Sequence, residues 1–70
     1  MRTNNFEKCV EKMIAHHCSE ADLNALYARV CLRDYMSERG TRADFVAWRD
    51  FQRCVNEHLD AAEYWQGKLN

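Results

Sequence analysis

Apolar side chains recur at intervals of three and four residues along three stretches of the chain, the spacing that lines one face of a helix. The first stretch runs through Phe6, Cys9, Val10, Met13, Ile14 and His17, and the second through Leu23, Leu26, Tyr27, Val30, Cys31 and Tyr35. The third is the most regular: Trp48, Phe51, Val55, His58, Ala62, Trp65 and Leu69 keep heptad spacing, with Phe45 and Leu59 widening the stripe. A capping pattern precedes each stretch: Asn4-x-x-Glu7, Ser19-x-x-Asp22 and Thr41-x-x-Asp44. In each, a short polar side chain can accept from a free backbone N–H of the first turn while an acid three residues on reaches back. Gly40 stands where a helix C-terminus takes a left-handed residue at no steric cost.

These signals predict helices over 4–17, 20–39 and 42–66, joined by connections so short that neighbouring helices must run antiparallel. The expected fold is all-α: a single helical domain over residues 1–70, folded as a small antiparallel three-helix bundle with a long C-terminal helix. The composition points the same way. The chain has only 2 Gly and no Pro, too few turn residues for an all-β fold of this size. With 47% hydrophobic and 30% charged residues it is globular rather than disordered.

Folding the chain at Cys18-Ser19 and Gly40-Thr41 leaves the first helix too short to cover the third. Tyr35, Phe45 and Trp48 are then uncovered at one end, and Tyr64, Trp65 and Leu69 at the other. Large apolar patches on a soluble chain mark contact surfaces, and a domain this small gains stability by associating. These residues are therefore the expected protein interface, with another protein or a second copy in a homodimer as partner.

Charge and cysteine content narrow the remaining chemistry. Lys plus Arg is 10 and Asp plus Glu is 11, so the chain lacks the basic excess of a general nucleic-acid binder. The local exception is the row Arg42, Arg49 and Arg53, following Arg29, Arg33 and Arg39; acids interleave it, as on a solvated helix face. Helix, glycine turn and helix is similar in outline to a helix-turn-helix. Met36, however, stands where that motif needs a small residue, and Arg49 where an apolar one packs. Nucleic-acid binding through Arg42, Arg49 and Arg53 is the alternative function.

The 4 cysteines lack the loop-rich, glycine- and proline-rich setting of a secreted disulfide scaffold and are read as reduced, packed as small hydrophobes. Cys54-x-x-x-His58 places two ligand types on one helical face, and Cys9 falls near the same level in the three-helix register. That makes Cys9, Cys54 and His58 the candidate metal or redox site of a second alternative, though short ligand pairs on both sides are missing. Cys18, beside His17 and before the expected Ser19 cap, is the one thiol placed for activation by a helix N-terminus. A bundle this size leaves little room for a substrate pocket, so no catalytic residue and no cofactor are expected. Neither an apolar leader nor a membrane-length apolar run is visible, and the third helix is too acidic to lie on an anionic membrane. The sequence thus points to a cytoplasmic, non-enzymatic regulator, inhibitor or adaptor acting through protein contacts.

Overall fold

The computed structural model describes residues 5–69 and contains, among them, two helices and no strand. Helix α1 spans Asn5–Tyr35 and α2 spans Arg42–Gly67. They lie against each other as an antiparallel hairpin with principal extents of 58 × 15 × 12 Å. The architecture is therefore an α-helical hairpin and not a three-helix bundle. The helices expected over 4–17 and 20–39 are one continuous helix, and the longer helix is the N-terminal one, 31 residues against 26.

The correction has a local cause and a global one. Locally, Ser19 and Asp22 lie in mid-helix with neither Gly nor Pro near them, so the backbone has no reason to leave the α conformation there. Asn24 fits the same helix by donating its side-chain N–H to the Glu20 carbonyl at 2.8 Å. Globally, the inward row of α1 keeps one phase across the supposed turn. Val10, Ile14, His17, Ala21, Asn24, Ala28 and Cys31 alternate by four and three without interruption, and all are buried or half-buried. Ala21 and Ala28 carry that row through the second half of the helix, where larger neighbours draw the eye elsewhere. The expected Asn4 cap lies outside the described residues.

Helix α1 also ends earlier than expected, at Tyr35 rather than 39. Residues 36–41 form the connection, held by Met36 N–H to the Leu32 carbonyl at 3.0 Å, Ser37 N–H to Asp34 at 3.2 Å and Gly40 N–H to Ser37 at 3.0 Å. No glycine among the described residues has positive φ, so Gly40 is not the left-handed cap expected of it. Its role is close approach: a Cβ added there would fall on the Tyr35 carbonyl, backbone that cannot swing aside.

The start of α2 agrees with the sequence. Thr41 is an extended N-cap whose Oγ1 accepts from Asp44 N–H at 3.4 Å, while Thr41 N–H donates to Asp44 Oδ2 at 2.9 Å. This reciprocal pair satisfies two donors that the first turn would otherwise leave free. The expected inward row is also observed, since Trp48, Phe51, Val55, His58, Trp65 and Leu69 are half-buried and Ala62 is buried, but Phe45 and Leu59, expected to widen it, are exposed. The helices fit because they divide the bulk unequally. α2 contributes rings and the inward row of α1 mostly smaller side chains, while Tyr27 and Tyr35 of α1 meet Phe51 and Phe45 from the side, each at 5.3 Å.

The core is thin. Val10, Ala21, Ala28 and Ala62 are its only buried hydrophobic members among the described residues.

Candidate functional site: an aromatic groove, a histidine pair and an outer row

At the turn end, three rings pack in sequence. Tyr35 and Phe45 have centroids 5.3 Å apart, and Phe45 and Trp48 5.6 Å. Both spacings fall in the range where tilted rings attract. Tyr35 is the last residue of α1 and Phe45 lies in the first turns of α2, so the chain reversal itself brings them together. Beside them opens a groove of about 480 Å³, lined by Tyr35, Phe45 and Val46 and by the two arginines Arg42 and Arg49. The arginines stand seven residues apart, two turns on one face of α2.

Arg53 does not share the groove: its Nη2 donates to Asp50 Oδ1 at 3.2 Å. Among the described residues neither Arg42 nor Arg49 has an ion-pair partner. The row Arg42, Arg49 and Arg53 is thus split into two free guanidiniums at an aromatic wall and one tied to its own helix.

The other half of the expected interface lies at the opposite end. Tyr64 is exposed, packs edge-on against Trp65 at 5.3 Å and carries the Lys68 ammonium 4.9 Å above its ring. Trp65 and Leu69 are half-buried in the inter-helix row. The overhang that first singled out these residues is absent, because α1 is long enough to run beside α2. Their exposure, not lack of a covering helix, is what separates them: Tyr35, Phe45 and Tyr64 are open, while Trp48, Trp65 and Leu69 are partly covered.

Midway along the hairpin the row turns polar. His17 and His58 face each other with Nδ1 to Nδ1 at 2.9 Å, and His16 stacks edge-on against His17 at 5.2 Å. One ring donates its Nδ1–H and the other accepts, which fixes complementary tautomers. The inward positions of His17 and His58 are those their helical spacing requires.

Cys9, Cys54 and His58 do not form a site. With His17 opposite His58, Cys9 lies level with residue 66, about 18 Å along the axis from Cys54 by helical rise. No group of three His, Cys, Asp or Glu side chains among the described residues is arranged to hold a metal. Cys18 is exposed in the middle of α1, remote from any helix N-terminus, so the position expected of it before a second helix is absent. All four cysteines are free; Cys9 and Cys18 are exposed and Cys31 and Cys54 half-buried, so packing as small hydrophobes describes only the second pair. Among the described residues no helix is long and apolar enough to cross a membrane.

One surface escaped the sequence reading altogether. Met13, Leu23, Leu26, Tyr27 and Val30, expected in the core, are exposed on α1. A second row alternating by three and four, one residue behind the inward row, was the signal that could have revealed it. Compared with family models, curated proteins and solved structures, the chain matches none.

Proposed function

We propose that this is a small, cytoplasmic, non-enzymatic regulatory protein, a regulator, inhibitor or adaptor, which works by gripping another protein at the turn end of its hairpin. The observation that carries this reading is the pairing of exposed rings with unpaired cations. Tyr35 and Phe45 form one wall of the groove, and Arg42 and Arg49, free of ion pairs, stand on its rim. Aromatic and arginine side chains are the ones that most often dominate binding energy at protein interfaces. The groove suits a segment that offers an apolar anchor flanked by acids. The rings take the anchor, and each guanidinium offers a carboxylate a planar fork of donors.

The test is a photo-crosslinking amino acid at position 45 in the native host, followed by identification of the captured chain and measurement of its affinity for purified variants. Tyr35→Ala should weaken binding by about 2 kcal/mol, as an anchor does, and Arg53→Ala should leave it unchanged. Capture of nucleic acid instead, with affinity that collapses as salt rises and depends on Arg42, Arg49 and Arg53 together, would replace this reading with the nucleic-acid one.

A further inference from the structure

We infer that the outer face of α1 is a docking surface for a second copy of this chain, the two α1 helices packing antiparallel across a two-fold axis at residue 18 to make a four-helix assembly. The inference rests on the reading of the protein as an interaction module, but it uses a different surface from the aromatic groove.

The first observation is the row itself. Phe6, Cys9, Met13, His16, Glu20, Leu23, Tyr27 and Val30 alternate by three and four along α1. From Cys9 on, each immediately precedes a residue of the inward row, so this second seam is turned about 100° from the first. Its large apolar members are open: Phe6, Met13, Leu23, Tyr27 and Val30 are all among the exposed hydrophobics, with Leu26 beside them. Tyr27 also packs against Phe51 of α2 at 5.3 Å and His16 lies 6.4 Å from His58, so the row borders the inter-helix seam while its large apolar members stay exposed. Heptad spacing on such a face is the pattern by which a helix pairs with another helix.

The second observation is the self-complementarity of the row. Reversed onto itself about residue 18, it sets Phe6 opposite Val30, Cys9 opposite Tyr27 and Met13 opposite Leu23. The carboxylate of the row, Glu20, then meets His16 of the other copy. A slip of one heptad in either direction puts Glu20 against Leu23 or Cys9. One register therefore pairs apolar with apolar and the acid with the imidazole. An isologous two-fold contact requires such a match, in which each residue of a layer faces the other's equivalent.

The third observation is area. The chain exposes 5730 Å² at a mass of 8.3 kDa. A compact monomer of that mass exposes about 4,600 Å². The surplus, about 1,100 Å² per copy, reflects the elongated hairpin as a whole, and it leaves room for the roughly 1,000 Å² per partner that a stable dimer needs.

The experiment joins mass and register. In sedimentation equilibrium at about 100 μM the full chain should weigh twice 8.3 kDa. Leu23→Glu should bring it to the monomer mass, whereas Leu32→Glu, off the row, should leave it a dimer. Because Leu23→Glu can also loosen the fold, register is read separately. A variant with the native cysteines replaced by Ser and with Met13→Cys and Leu23→Cys should cross-link between copies on mild oxidation. A variant retaining Cys18 alone should not: it lies level with the axis but on the opposite side of the helix. A monomer at that concentration, a dimer indifferent to Leu23→Glu, or cross-linking through Cys18 as readily as through the 13–23 pair would each overturn the inference. None of these results touches the groove, whose own test reads at Tyr35 and position 45, so the two proposals fail separately.

Discussion

The two faces of α1 differ in the size of their side chains more than in their polarity. The inward row carries Val10, Ile14, Ala21, Ala28 and Cys31 together with the polar His17 and Asn24, and it is buried or half-buried. The outward row carries the larger Met13, Leu23, Tyr27 and Val30 together with His16 and Glu20, and its large apolar members are exposed, Tyr27 packing one side of its ring on Phe51 at 5.3 Å. Hydrophobicity alone does not choose between the two rows, since each mixes apolar members with two polar ones. What turns it is fit: α2 presents Trp48, Phe51 and Trp65, and two helices so loaded pack densely only if the facing helix is small. The polar inward positions are accommodated by bonds of their own, His17 to His58 and Asn24 to the Glu20 carbonyl. The lesson is that the buried face of a helix is chosen by its partner's shape as well as by its own hydrophobicity.

Substitutions that separate the two faces should rank as follows. The largest effect is expected at Ala28, 2% exposed. An aspartate there buries a charge with no partner, and Ala28→Asp should destabilise the hairpin by about 3 kcal/mol or more, read from the urea midpoint. Val30→Asp, two residues away on the outer row, should leave the hairpin's helicity in place while changing the concentration dependence of its melting. If the two replacements behave alike, the distinction between the faces is wrong.

Next comes Val10, the most deeply buried large side chain. Val10→Ala should cost about 2 kcal/mol, the loss of buried methyls plus the cavity they leave. Leu26→Ala removes more carbon from a side chain 51% exposed and should cost less than about 0.5 kcal/mol by the same measurement. That inversion of the usual order by size would sharpen the comparison.

Smaller effects test the polar devices. His17→Ala leaves His58 without its 2.9 Å partner and should cost about 1 kcal/mol in thermal or urea unfolding. Thr41→Ala removes the cap of α2 and should also cost about 1 kcal/mol, with loss of helicity confined to the first turn. Arg53→Ala breaks an exposed pair with Asp50 and should move stability by no more than about 0.5 kcal/mol. A larger loss would mean that the pair is held more tightly than its exposure implies.

Much of α2 was legible in the sequence. Its cap, its start at Arg42, its inward row and the inward aim of His58 all follow from local rules, because a Thr-x-x-Asp box and an unbroken aromatic heptad leave few alternatives. Half of α1 was misread. Ser19-x-x-Asp22 has the chemistry of a cap, and a cap is a favourable option for a chain that stops there, not an instruction to stop. The alanines that continue the inward row are too small to register as hydrophobic signal, while Leu23, Leu26 and Val30 supplied a stripe that belongs to another face. The aromatic groove was half legible: Tyr35, Phe45, Arg42 and Arg49 were each singled out, but for separate reasons, and only the chain reversal joins them.

The sequence by itself determined the helical class, the capped start of α2 and the positions able to pack, since these depend on backbone preference and on a period read along one segment. Tertiary structure alone decided that α1 runs unbroken to Tyr35, which of its two rows turns inward, and that two arginines and two rings share a wall. Those outcomes depend on the width of one helix face measured against the bulk of another, a quantity that exists only once both helices are side by side.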